Sequence, residues 1–147
     1  MMSEEFKIVL TSALTILGGI FVYTTGQIIS KFFIEPIHDQ SRCIGDISDS
    51  LIFYANQFSN PGVGKPEKMD ETQKVLRQRA SQLTSKTHVI NCYKLFELLG
   101  IVPKRSAVIE ASRSLIKLSN SVHEGDGAKN DELREKIENL LNIRTHY

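Results

Sequence analysis

The side chains that usually do chemistry are scattered along this chain. His38, His88, His123 and His146 fall in four different segments, and no two have the i, i+4 spacing that turns a pair of imidazoles onto one metal from a single helix face. Nor does the sequence bring a histidine into a base–nucleophile pattern. Carboxylates do pair, Asp46 with Asp49 and Asp131 with Glu135. Their helical spacing suits a solvated face and helix-end electrostatics better than acid–base catalysis. Cys43 and Cys92 are too few for a disulfide framework or a metal set, and both lie in partly apolar helical patterns that fit reduced structural thiols in a cytoplasmic domain. Residues 59–66 hold Gly62 and Gly64, but no lysine-serine or lysine-threonine step follows Gly64, so this is a turn and not a phosphate loop. The reading is a protein that is not an enzyme and uses no metal or cofactor.

Two local basic groups remain. Lys74, Arg77 and Arg79 with Lys86 form one; Lys104, Arg105, Arg113 and Lys117 form the other. Repeated around a ring of identical subunits, either could hold a nucleotide or a short oligonucleotide, because symmetry multiplies the charge that each copy offers. Ordinary solvated helix surface is the competing reading. Asn120 between Ser119 and Ser121 is similarly open, although local bonds that end a helix suit these residue types better than ligand recognition.

The elements that would position these groups begin with a long uncharged stretch. Between Lys7 and Lys31 lie 23 residues without a charge, about 35 Å of helix against a hydrocarbon core of about 30 Å. Eleven of them are Ile, Leu, Val or Phe, so insertion into lipid is favourable despite the interspersed threonines and glycines. The run is too long for a signal-peptide core, Glu4 and Glu5 precede it, and no small-x-small cleavage pattern follows. Residues 1–35 therefore read as a retained transmembrane helix with a short N-terminal tail. Lys31 and Arg42 follow the span whereas only Lys7 precedes it, which places the larger part of the chain in the cytoplasm of a bacterial inner membrane, with the N-terminus outside.

Small and hydroxyl-bearing residues share one side of this helix. Ser12, Thr15, Gly19, Val22 and Gly26 follow alternating steps of three and four; Leu10, Leu14, Leu17, Phe21 and Ile28 lie opposite. Lipid gives helices no hydrophobic reward for associating, so small residues that allow close approach mark the contact face, and the period implies shallow left-handed crossing. A second copy of the chain is the favoured partner, since most oligomers are homo-oligomers. A ring of such helices would line a pore with hydroxyls and exposed backbone, and Lys31 would set a positive, anion-favouring mouth. Alternatively the seam only packs an oligomer while Lys7 and Lys31 snorkel.

Residues 36–147, without the span, suffice for one modest core. The formal charge of +1 over 147 residues exerts no bulk pull toward nucleic acid or anionic lipid. Pro36 should bend or break the helix leaving the membrane, which makes it a hinge. Apolar spacing then predicts a helix over 37–58; a turn; a helix over 71–87 capped by Asp70 with Gln73; a short helix around Ile90, Tyr93 and Phe96 closed by Gly100; a helix over 104–121; and a last helix capped by Asn130 or Asp131. The fold class is all-α: one transmembrane helix, then a cytosolic bundle of about five helices.

Several segments carry a resemblance. Glu35-Pro36-Ile37, Cys43-Ile44-Gly45-Asp46-Ile47 through Asn56, and Ser59-Asn60-Pro61-Gly62, together with 76–83 and 110–121, resemble a family of small bacterial membrane proteins that are mostly uncharacterised. The layout is also similar to membrane effectors of anti-phage nucleotide signalling, of the Hailong type. That resemblance implies a helical cytosolic crown that binds a nucleotide signal and controls an ion channel, and it assigns no individual residue. The expectation is a homo-oligomeric, ligand- or partner-gated ion-channel-type effector in bacterial defence; the rival is a non-conducting anchor or scaffold whose bundle recruits a partner protein.

Overall fold

A computed structural model describes residues 3–143; His146 lies outside them. Among the described residues the chain is helical without a strand, and it divides into two compact units, Met1–Glu35 and Pro36–Tyr147.

The first unit is one helix, α1 (Glu4–Ile29). Ser3 caps it by accepting the backbone N–H of Phe6, and Glu4 and Glu5 sit in the first turn, where a carboxylate complements the helix dipole. Not one residue of α1 is buried. It is long and apolar enough to cross a membrane.

Of the bend or break expected at Pro36, the break does not occur. Ser30–Ile34 continue the helix as a π-helical stretch, with the N–H of Glu35 reaching back to the carbonyl of Ser30, and α2 (Glu35–Phe53) follows at once. Pro36 is thus the second residue of α2, where its missing N–H and fixed φ are tolerated, and the widened turn ahead of it makes room for its ring. The correction concerns the backbone: the sequence signalled a bend or a stop, whereas the π-turn accommodates the proline.

The second unit packs α2, α3 (Ala55–Ser59), α4 (Pro66–Val89), α5 (Tyr93–Leu98), α6 (Arg105–Asn120) and α7 (Gly127–Leu141). Its main core joins Cys43, Ile47, Leu51 and Phe58 to Leu76, Ala80 and Leu83 of α4, to Val108, Ala111, Leu115 and Leu118 of α6, and to Ile137 and Leu141 of α7. A smaller cluster of Ile90, Tyr93 and Val102 has Ile37 and Phe96 packed on it.

Three boundaries differ from expectation. The helix predicted over 37–58 is interrupted at Tyr54, whose φ of −98° and ψ of 12° leave α geometry. α4 starts at Pro66, ahead of Asp70, because a proline at the first helical position and Glu67 beside it already make a start. α7 is capped by Asp126, which accepts the N–H of Ala128 at 3.1 Å, and not by Asn130 or Asp131. Gly100 takes the expected left-handed conformation, with φ of +70°. The loop at 59–64 meets the turn before α7 so closely that a Cβ on Gly127 would lie 2.2 Å from the carbonyl oxygen of Ser59.

Candidate functional site

The small-residue seam of α1 is open to its surroundings. Ser12, Thr15, Gly19, Val22 and Gly26 are all exposed, and a Cβ on Gly18, Gly19 or Gly26 would meet nothing within 4 Å. The hydroxyls of Thr11 and Thr15 donate to the carbonyls of Lys7 and Thr11 at 2.8 and 2.9 Å. Donors satisfied inside their own helix can sit in lipid without cost, while their oxygens keep a lone pair for a partner. Lys31 is exposed in the π-turn. At the other end Lys7 pairs with Glu4 at 2.7 Å.

Beyond Pro36 a ladder of polar contacts ties α2 to α4. Lys86 meets Asp39 at 3.1 Å, and Arg79 reaches Asp46 at 3.0 Å and the hydroxyl of Ser50 at 3.3 Å. Between them Gln40, fully buried, donates to Thr87 at 2.8 Å and to the phenol oxygen of Tyr93 at 3.2 Å. Tyr93 in turn donates to the carbonyl of Pro103 at 2.7 Å. Burial pushes the Tyr93 phenol above its ordinary value, outweighing the lowering effect of the Gln40 bond, and so keeps it a donor. A buried, satisfied chain of this kind holds α2, α4 and the loop before α6 in one register.

The predicted basic groups do not converge. Arg79 and Lys86 are engaged by the carboxylates of α2. Arg77, though exposed, reaches across to the end of α6, its guanidinium 2.6 Å from the Asn120 side-chain oxygen and 3.4 Å from the Ser119 hydroxyl. Asn120 and Ser119 thus serve a helix-to-helix contact. Lys74 is exposed. In the second group Arg105 stacks 5.9 Å over the Tyr93 ring. Arg113 and Lys117 are exposed, close enough to Glu110 to help hold its carboxyl below the ordinary 4.5, after the larger effect of Lys136 at 2.6 Å.

Two hollows open on the bundle. One, of about 550 Å³, is lined by Ser41, Ile44, Val102, Lys104, Asn139 and Asn142, among others. The other, of about 570 Å³, runs between α4 and α6 over Ala80, Ser81, Thr84, Ser85, Ser112 and Ile116, with Arg77 at its edge. Each takes one predicted basic residue, so neither gathers a cationic ring from one copy. The hydroxyls of Thr84 and Ser112 bond each other at 2.9 Å, and Ser112 donates to the Ala80 carbonyl at 3.0 Å. Among the described residues no three His, Cys, Asp or Glu side chains gather as a metal cluster would require.

Sequence reasoning missed Gln40, Asn130 and Glu138. Asn130, read as a cap, is buried and donates to the Phe58 carbonyl at 2.7 Å while accepting from Ser121. Glu138 is buried with Arg134 3.5 Å away. The available signal was positional: Gln40 falls three and four residues before Cys43 and Ile44 on the inward side of α2, and Glu138 directly follows Ile137. No known protein family, curated protein or solved structure matches the chain.

Proposed function

We infer that the chain is a single-pass membrane protein that assembles with copies of itself, and that its bundle gates an ion-channel-type effector in bacterial, anti-phage defence. The observation that carries this reading is α1, a 26-residue helix with no buried residue and one smooth, hydroxyl-bearing side. A helix so long and apolar suits a bilayer, and its smooth side suits other copies. The slight excess of Lys31 and Arg42 over Lys7 supports a bundle on the cytoplasmic side of the inner membrane. A nucleotide, short oligonucleotide or partner protein acting on the bundle would move α2 through its ladder to α4. The helical backbone across Pro36 would carry that movement into the span, with Pro36 and the π-turn as the compliant point. The defence role follows the resemblance in layout to Hailong-type effectors.

A non-conducting anchor or scaffold is the second reading. The intrahelical bonds of Thr11 and Thr15 favour it, since these hydroxyls need no pore water. Stoichiometry separates the two: four or more copies enclose an axis, and two do not. The deciding experiment measures the oligomeric state of the lipid-reconstituted protein and ion flux from the same liposomes. Gly19→Leu is expected to weaken assembly, and Lys31→Glu to alter ion preference. A monomer in lipid overturns both readings; a dimer without flux leaves only the anchor.

A further inference from the structure

Four of the ten exposed large apolar side chains described in the second unit lie together. Leu95, Leu98, Leu99 and Ile101 fall within seven residues on α5 and the turn after it, and are 52, 83, 60 and 52% exposed. This is not a loose segment. Ile90 and Tyr93 are buried at its base with Val102, and Phe96 and Ile37 pack on them, while the N–H of Ile101 is held by the Phe96 carbonyl at 2.9 Å. Four aliphatic side chains gathered on a fixed outer surface mark an interaction site rather than scattered exposure.

Charge identifies the occupant. Across residues 89–105 the charged side chains are Lys94, Glu97, Lys104 and Arg105. Glu97, half-buried, is engaged in accepting the backbone N–H of Arg105 at 3.1 Å, where it caps the first turn of α6. With three cations to that one engaged carboxylate, the rim of the aliphatic patch is net cationic. Aliphatics bordered by lysine and arginine are the composition of an element lying at the boundary of acyl chains and phosphates. A symmetric contact with a second copy would bring the same three cations toward their own images.

Covalent reach supplies the independent argument. Ile37, part of the small core under α5, is six residues after Lys31, where the uncharged stretch ends. Six residues span at most about 20 Å even fully extended. Whatever angle the chain takes there, α5 stays near the bilayer surface if α1 crosses it.

We propose that α5 and its following turn form a second, peripheral membrane contact. Leu95, Leu98, Leu99 and Ile101 enter the acyl boundary, and Lys94 and Lys104 meet the phosphates of anionic lipid. The inference rests on α1 spanning the bilayer. It gives the bundle a lipid-sensing surface on the same small core as Tyr93, the hydrogen-bond partner of Gln40, so that lipid charge biases the position of α2.

The chain contains no tryptophan, so a single introduced one reports its own surroundings. Full-length Leu98→Trp and, separately, Leu17→Trp are reconstituted into phosphatidylglycerol-containing vesicles doped with lipids brominated near the headgroup or near the chain end. Leu98→Trp is expected to lose most of its emission to the shallow bromines and Leu17→Trp to the deep ones. Lys94→Glu with Lys104→Glu in the Leu98→Trp background should restore the emission. If Leu17→Trp is quenched while Leu98→Trp is not, the peripheral contact is wrong and the span stands: red-shifted emission then means water, and blue-shifted emission a protein cover. If Leu17→Trp escapes quenching as well, the spanning reading fails and takes the contact with it.

Discussion

α1 and α6 are both long helices with a regular small-and-large pattern, yet they meet opposite fates. On α6 the pattern is consumed inside the chain: Val108, Ala111, Leu115 and Leu118 are buried, and the small residues Ser112 and Ala111 let α4 come close. On α1 it faces outward: Phe21 is 72% and Val22 70% exposed, and the glycines touch nothing. A small-residue face is therefore ambiguous until its neighbour is known. α6 finds its neighbour within its own unit, whereas within its own unit α1 finds none.

The largest expected effect tests the inward half of this comparison. Leu118→Ala removes a fully buried side chain from the junction of α4, α6 and α7 and should cost about 2–5 kcal/mol, seen as a lower thermal midpoint of the bundle. Leu17→Ala should leave that midpoint where it was. A shared loss would mean that α1 packs on the bundle.

The glycines sharpen the contrast further. Gly127→Ala forces a Cβ to within 2.2 Å of the Ser59 carbonyl, and backbone cannot swing aside as a side chain can, so about 1–3 kcal/mol of stability should be lost. Gly19→Ala meets no atom of its own chain. Any change it makes, read as oligomer dissociation in lipid, must come from a second molecule; unaltered assembly would remove the seam from the contact face.

This difference also explains what could be read from sequence. Leu76, Ala80 and Leu83, or Val108 through Val122, declare a buried face by spacing alone, and the uncharged run declares α1. Spacing is a property of one helix, and it is visible in one helix. Arg79 and Lys86 looked like a free basic group because their partners Asp46 and Asp39 lie 33 and 47 residues away. Spacing puts Gln40 on the inward side of α2 but does not show its partners, Thr87 and Tyr93, which lie 47 and 53 residues away. At Pro36 the sequence left a bend and a break open, and the π-turn that keeps the helix unbroken is a backbone arrangement that no residue spacing announces.

The two cysteines offer a smaller effect. Cys43 is in the main core and Cys92 is exposed, in a left-handed turn with φ of 54°. Burial pushes the Cys43 thiol above its ordinary 9.0, Asp46 adds to the rise, and Lys86 and Arg79 oppose it. Because the folded value is the higher one, its contribution is present in full below pH 9 and is lost as pH rises through the folded value. Native protein should be labelled by a thiol reagent at Cys92 alone, with Cys43 joining only as the bundle opens. Equal labelling rates at pH 7 would show that the α2–α4 ladder does not hold.

The smallest effect belongs to a contact that looks strong. Lys136 of α7 lies 2.6 Å from the Glu110 carboxylate of α6, closer than any ion pair in the α2–α4 ladder. Its position decides its worth: both side chains stand in water, where the attraction is screened and two long chains must be held still. The lowered value of Glu110 means that what the pair adds is present above its ordinary 4.5 and fades as pH falls through the folded value. Glu110→Gln should leave the thermal midpoint at pH 7 unchanged within error and alter only its salt dependence. A drop as large as that from Gly127→Ala would mean that α6 and α7 are joined by surface charge, and the contrast between an inward-satisfied α6 and an outward-facing α1 would no longer rest on the packed core.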